Sequence, residues 1–131
     1  MTNRQRKFFK IAANKLNRTD ILQVSAVLVK GSKVISTGIS QFKTHPRQSD
    51  LNFRCNHSSR YHNLHAEIDA LNHCQYKDVN MSNAEIFVYR EDSQKNPVNS
   101  MPCRVCQRAL AEKGVKHVYY FLDGQMRYMR I

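Results

Sequence analysis

Two short segments contain the residue types that could do chemistry in this 131-residue sequence. In HAE, His65 and Glu67 lie two residues apart near the start of a predicted helix. Glu67 falls one turn before Leu71, so its carboxylate lies beside or within the apolar face of that helix. In PCRVC, Cys103 and Cys106 stand three apart in the first turn of another predicted helix, which brings both sulfurs to one face. The helix N-terminus favours their thiolate forms.

Each segment alone has an ordinary interpretation. A glutamate in the first turn of a helix commonly complements only the helix dipole, and one CxxC suits a redox pair or half of a zinc ribbon. A zinc ribbon would need a second CxxC, and Cys55 and Cys74 are too far apart to supply it. Together, one imidazole and two thiolates provide three tetrahedral zinc ligands and leave a fourth position open, as in catalytic sites. Glu67 is then left over as a general acid and base.

The pattern H-x-E followed by P-C-x-x-C is the signature of zinc-dependent nucleobase deaminases. Through HAE and PCRVC the sequence resembles the cytidine and deoxycytidylate deaminase superfamily, over roughly residues 23–122. The resemblance implies a hydrolase with one zinc ion per chain, held by His65, Cys103 and Cys106. It further implies that zinc lowers the pKa of its bound water toward about 7. The hydroxide attacks the ring carbon bearing an exocyclic amine, while Glu67 transfers protons and helps ammonia leave.

The elements that must position these residues alternate between helix and strand. A basic amphipathic helix is predicted within residues 1–20, followed by a hairpin of strands 23–29 and 33–38. Then come the HAE helix, residues 64–74, with Asn63 available as its N-cap, and a strand over residues 84–90. The PCRVC helix is predicted to run from Pro102 or Cys103 to about Lys113, with Gly114 as its stop. A strand in KHVYYFL follows.

The expected fold is α/β. The resemblance implies a cytidine deaminase-like, three-layer α/β/α sandwich with a five-stranded mixed sheet, in a single deaminase domain over residues 1–131. The length suits one domain and is too short for two. Asp123 and Gly124 give a hairpin signal, which predicts an antiparallel last strand at residues 125–129. Free-nucleoside cytidine deaminases share that arrangement, whereas deoxycytidylate and tRNA adenosine deaminases place a helix there and return parallel.

Candidate substrate contacts lie around the two motifs. Residues 41–63 show no usable periodicity and are interpreted as an active-site loop. Many relatives have a sugar-contacting asparagine at the end of the second strand, where this chain has Ser40. The whole candidate set comprises Ser40, Lys43, Thr44, His45, Ala66 and Pro102.

Charge bears on the partners of the protein. Lys and Arg number 21 against 10 Asp and Glu, and the net charge of +11 favours an anionic ligand. The resemblance implies that a cytosine nucleotide or nucleoside, dCMP or cytidine first, is converted to the uracil form with release of ammonia. An alternative is a polynucleotide deaminase acting on cytosine or adenine in RNA or single-stranded DNA, favoured by the charge and the basic N-terminal helix. A non-catalytic zinc-binding module is a more distant alternative.

The cellular setting follows from what the sequence lacks. No apolar run approaches the roughly 20 residues that span a bilayer, and the N-terminus lacks a signal-peptide core. We therefore expect a cytoplasmic protein without membrane association, whose cysteines are thiols or metal ligands. The resemblance implies a homo-oligomer. A second zinc site is disfavoured because its candidate ligands match no tight motif, these being Cys55, His57, His73 and Cys74.

Overall fold

The computed structural model describes residues 1–17, 23–44, 46–55, 63–74 and 81–131. Four helices and seven strands are found in these residues. In chain order they are α1 (Asn3–Lys15), β1 (Val24–Lys30), β2 (Lys33–Ile39), β3 (Gln41–Thr44), α2 (Pro46–Arg54), β4 (Asn63–Leu64), α3 (Ala66–Cys74), β5 (Ala84–Arg90), α4 (Arg104–Glu112), β6 (His117–Leu122) and β7 (Gln125–Arg130).

A five-stranded mixed sheet has the order β2-β1-β5-β6-β7. Strand β1 is antiparallel to both β2 and β5, whereas β5 and β6 are parallel. Strand β7 returns antiparallel to β6, with Tyr119 opposite Tyr128. Asp123 and Gly124 turn the chain between them with φ of 53° and 74°, as a tight hairpin requires. The predicted mixed sheet and its antiparallel last strand are both confirmed.

Helices cover both faces of the sheet, which confirms the three-layer sandwich. On one face, α1 buries Phe8, Phe9 and Ala12, and it packs there against Val27 and Phe87. The alternate residues of the same strands point to the other face, where α3 and α4 pack. Helix α1 is shorter than the predicted 1–20, because the chain turns extended at its C-cap, Leu16.

Residues 41–63 do not form one loop, so their interpretation as an active-site loop is corrected here. The segment contains β3, α2 and β4, with β3 paired to β4. The buried side of α2 consists of Gln48, Leu51 and Asn52. Because two of these three are polar, the helix produces no apolar periodicity in the sequence. Residues 45 and 56–62 lie outside the described residues.

The two motif helices begin close to their predicted positions. Asn63 lies in β4, three residues before α3, so the prediction that it caps this helix is wrong. Cys103 is the N-cap of α4. After the C-cap Lys113, Gly114 has a φ of +87°, which confirms it as the helix stop. No helix in the described ranges is both long and apolar enough to cross a bilayer.

Candidate active site

The starts of α3 and α4 bring three possible metal ligands together. His65 directly precedes α3, and Cys103 and Cys106 lie at the start of α4. The Nδ1 atom of His65 is 3.2 Å from the Cys106 sulfur and 3.5 Å from the Cys103 sulfur. All three ligand atoms lie within 4.8 Å of one another. Nitrogen and sulfur bound to one tetrahedral zinc lie about 3.6 Å apart, so the group fits one zinc ion.

The electrostatics of the metal-free group match such a site. The pKa of Cys103 is lowered to about 4, first by a hydrogen bond with the Cys106 thiol and then by one with His65. The hydrogen bond with Cys103 raises the pKa of His65. For Cys106, the same pairing with Cys103 and then burial raise the pKa well above its ordinary value. The cluster therefore offers the Cys103 thiolate to a metal ion, and binding of the metal must displace the proton of the Cys106 thiol.

Glu67 lies in the first turn of α3 and is 5% exposed. Burial raises the pKa of its carboxyl group, while nearby His65 acts in the opposite direction. Glu67 is not one of the three residues whose ligand atoms cluster. Glu67 instead lines a cavity of about 330 Å³ together with His65 and Cys103. The inward-facing carboxylate is thus available to a molecule in that cavity.

Close packing of β2 on α3 fixes the position of this carboxylate. A Cβ atom on Gly38 would lie 2.2 Å from the Ala66 carbonyl oxygen, so only glycine allows this approach. The Asp69 carboxylate accepts the backbone N–H of Ile39 at 3.0 Å. At the next residue, the Ser36 hydroxyl donates to the Ala70 carbonyl at 2.7 Å. These contacts attach the first turns of α3 directly to the sheet.

A second support comes from α2 and was missed by the sequence analysis. Gln48 is fully buried, and its side-chain oxygen accepts the backbone N–H of His65 at 3.0 Å. Its amide nitrogen donates to Asn52 at 2.9 Å. The signal available was the i, i+4 spacing of these two amides. Gln48 thereby holds the backbone of a zinc-ligand candidate.

The predicted substrate contacts have different outcomes. Ser40 and Ala66 line the cavity, and the Ser40 hydroxyl accepts the backbone N–H of Val24 at 2.8 Å. Pro102 is buried before α4 and is not among the described residues that line the cavity. Its carbonyl accepts a hydrogen bond from Gln107 at 2.9 Å. Lys43 and Thr44 belong to β3. His45 lies outside the described residues.

Several cavity residues were absent from the sequence-based set, among them Arg90, Asn99 and Met101. Arg90 could have been found, because strand alternation places it on the same sheet face as Ile86 and Val88. It stands where β5 ends, next to the loop that leads to α4. Asn99 and Met101 belong to that loop, whose sequence carries no periodic signal.

The candidate ligands of a second zinc site are only partly described. Cys55 and Cys74 are free thiols, and His57 lies outside the described residues. The Nδ1 atom of His73 is 2.7 Å from the Thr37 carbonyl oxygen. Within the described ranges, the zinc cluster at the starts of α3 and α4 is the one group of three or more possible ligands.

Solved structures of similar fold include two deaminases. The apo dCMP deaminase of cyanophage S-TIM5 has a TM-score of 0.60 at 22% identity, covering 95% of this chain and 89% of that one. The cytidine deaminase of Burkholderia pseudomallei has a TM-score of 0.65 at 19% identity, covering 99% and 93%. At these identities the likeness concerns the fold. No curated protein sequence matches the chain.

The sequence itself matches a family model. The model describes the cytidine and deoxycytidylate deaminase zinc-binding region, and it covers residues 2–122. This range includes both motifs and all of the elements from α1 to β6. The chain therefore belongs to the cytidine and deoxycytidylate deaminase family.

Proposed function

We propose that this protein is a zinc-dependent hydrolytic deaminase acting on a cytosine nucleotide or nucleoside, with dCMP and cytidine as the leading substrates. Water replaces the exocyclic amine, so that the uracil form and ammonia are the products. The observation that supports this most directly is the position of Glu67. This buried residue lines the cavity beside the cluster of His65, Cys103 and Cys106 without belonging to that cluster.

Each residue has a distinct role in this proposal. His65, Cys103 and Cys106 would hold zinc, which supplies a Lewis acid that lowers the pKa of water. Glu67 takes a proton from the attacking water onto its carboxylate and passes it to the ring nitrogen beside the amine-bearing carbon. It then assists the departure of ammonia. Burial raises the pKa of Glu67, which helps the carboxylate to hold the proton between accepting it and returning it.

Cavity size supports a small substrate. At about 330 Å³, the cavity is at the lower end of the usual range for small-molecule sites, about 300–1,000 Å³. A structural neighbour with a TM-score of 0.54 and 19% identity is the S-TIM5 dCMP deaminase in complex with dCMP and dUMP. By the family resemblance, the antiparallel β7 keeps cytidine among the candidates.

The polynucleotide alternative rests on the charge of +11 and on the exposed basic residues of α1, which include Arg6, Lys7 and Lys10. Helix α1 packs on the sheet face opposite α3 and α4, which carry the site. This placement separates the basic helix from the cavity by the sheet and favours a free nucleotide or nucleoside. Salt dependence tests the choice, because polynucleotide binding weakens steeply with added salt.

The test compares zinc content with ammonia release. With zinc-loaded protein, we expect ammonia from dCMP, deoxycytidine, CMP or cytidine. Glu67→Ala should keep one zinc per chain and lose about 10²- to 10⁴-fold in rate, or more because the group acts twice. Cys103→Ala should lose both zinc and activity. Cys55→Ala, which changes a thiol outside the cluster, should keep both.

Two results would contradict these assignments. Substantial activity in Glu67→Ala would remove its role as acid and base. Loss of zinc by Glu67→Ala as complete as in Cys103→Ala would make it a ligand instead. The homo-oligomer implied by the resemblance is also a proposal, and a monomer at micromolar concentration in sizing experiments would refute it.

A further inference from the structure

One cation in the cavity is not explained by the proposed chemistry. Arg90 ends β5, and it lines the cavity together with Glu67, His65 and Val88. It is the single Lys or Arg among the described residues of the cavity wall. The zinc cluster and Glu67 account for the proton transfers, so the guanidinium must have another use or none.

Arg90 lacks the kind of ion pair that Arg4 and Arg54 form in the described structure. Its Nε atom is buried and has no hydrogen-bond partner there. By contrast, Arg4 pairs with Glu85 at 2.5 Å, and Arg54 pairs with Glu112 at 3.1 Å. No ion pair joins Arg90 to Glu67, its fellow charge in the cavity. A buried N–H donor without a partner is costly, and a ligand that accepts a hydrogen bond from Nε would remove that cost.

The charge of a cytosine nucleotide is confined to its phosphate. Base and sugar are neutral near pH 7, so an arginine fixed in the cavity distinguishes a nucleotide from a nucleoside. Guanidinium presents paired N–H donors that match phosphate oxygens and bind them in bidentate fashion. Resting on the proposed function, we infer that Arg90 binds the substrate phosphate and selects a nucleoside monophosphate over the free nucleoside.

The position of Arg90 within the site supports this assignment. Arg90 and Asn99 line both the catalytic cavity and a larger outer hollow of about 590 Å³. Arg90 therefore stands between the two, where a substituent leaving the cavity would pass. The adjacent wall is held in place, since Asn99 accepts the backbone N–H of Asp123 at 2.9 Å. Next to it, the Ser100 hydroxyl donates to the Val88 carbonyl at 2.8 Å.

Acidic residues in the outer hollow disfavour a substrate that has more than one phosphate group. Glu91 and Asp92 line the outer hollow directly after Arg90. The Asp92 carboxylate accepts the backbone N–H groups of Gln94 and Asn96, both at 2.9 Å, so it is fixed in place. Further phosphates would approach these carboxylates and be repelled. The arrangement favours a monophosphate over a triphosphate, and also over a polynucleotide with its successive phosphates.

The test measures selectivity rather than activity alone. For zinc-loaded protein, kcat/KM is determined on dCMP, deoxycytidine, dCTP and a short cytosine-containing oligonucleotide. We expect dCMP to be the best substrate. Arg90→Gln should lower the ratio of kcat/KM for dCMP to that for deoxycytidine by about 10- to 100-fold, the value of a charge-assisted hydrogen bond. Arg90→Lys should lose less of the ratio. The control Arg127→Gln removes the same charge from exposed β7 and should leave the ratio unchanged.

A binding measurement separates this inference from the proposed function. Calorimetry with dUMP and deoxyuridine should show tighter binding of dUMP, and Arg90→Gln should remove most of that difference. If wild type deaminates none of the compounds but binds dUMP in this Arg90-dependent way, the proposed function fails and the phosphate site stands. If wild type is active and Arg90→Gln leaves both selectivities unchanged, the phosphate site is refuted.

Two further results would overturn the inference. The first is an Arg90-dependent preference for dCTP or the oligonucleotide over dCMP, which would contradict the limit to one phosphate. The second is an equal loss on dCMP and deoxycytidine, which would place Arg90 against the base or the fold. Should Arg90→Gln fail to fold, Arg90→Lys with the same dUMP titration decides the question, because it keeps the charge but not the paired donors.

Discussion

Replacing Gly38 by alanine should damage the zinc site from the opposite side of α3. The added Cβ would lie 2.2 Å from the Ala66 carbonyl oxygen and 2.3 Å from the Ala70 nitrogen. Contacts under 3.0 Å essentially never occur for real Cβ atoms, so the helix must recede from β2 by about 0.8 Å. Both clashing atoms are backbone, and no side-chain rotation can relieve them. We expect a loss of at least about 1–3 kcal/mol in the free energy of unfolding.

The same displacement reaches the ligands. His65 directly precedes the helix that must move, and Glu67 is in its first turn. Metal–ligand distances tolerate only about 0.2 Å, so a shift of about 0.8 Å in the supporting helix should weaken zinc binding by about 10- to 100-fold. The hydrogen bond from Ile39 to Asp69, now 3.0 Å, should also be strained.

The assay combines urea unfolding of the metal-free protein with zinc competition against a chelator. Gly31→Ala is the matched control, because Gly31 has a φ of +64° but nothing within 4 Å of an added Cβ. It should lose about 1–2 kcal/mol through backbone strain alone and keep its zinc affinity. A Gly38→Ala protein whose zinc affinity falls no further than that of Gly31→Ala would refute the reasoning.

Two other substitutions test the stability that the buried Glu67 carboxylate costs and the contact by which Gln48 positions His65. Burial raises the pKa of Glu67 above its ordinary 4.5, so its ionisation opposes folding of the metal-free protein as the pH rises above that value. Glu67→Gln should therefore stabilise the metal-free protein by about 0.5–2 kcal/mol at pH 7, as measured by urea unfolding. Below pH 4, where the carboxyl group is protonated in both states, the substitution should not stabilise the protein. An equal effect at both pH values would contradict this explanation. Gln48→Leu leaves the His65 N–H and the Asn52 side chain without their partner. It should cost about 1–3 kcal/mol and weaken zinc binding about 10- to 100-fold, and unchanged chelator competition would show that the contact does not position His65.

The fold and the metal cluster could be predicted because their signals are local. The strand Ala84–Arg90 matches its expected bounds, and the Asp123-Gly124 turn identified the antiparallel β7. Each depends on residues close in sequence, such as alternating apolar side chains or a turn with positive φ. The candidate zinc ligands could be named because the residue types of two motifs limited the possible chemistry. Their distances in the structure agree with that prediction.

Helix α2 could not be predicted for the opposite reason. Its buried face carries Gln48 and Asn52, which are stabilised by partners distant in sequence or by each other. From the sequence alone, a buried polar residue cannot be distinguished from a solvent-exposed one, because its hydrogen-bond partner is not known. The same holds for Gly38, whose requirement comes from the backbone of another element. Residues that support the site through tertiary contacts thus leave no periodic signal.

Arg90 shows how one rule gives both a structural and a functional conclusion. Strand alternation assigns Ile86, Val88 and Arg90 to the sheet face covered by α3 and α4. Ile86 and Val88 are buried in the core on that face, whereas Arg90, at the end of the strand, lines the cavity. A cation at that point cannot pack as core, and its Nε has no partner within the described structure. Since the strand ends at the cavity that contains Glu67, the cost of keeping an arginine there is best explained by an anionic group on the substrate.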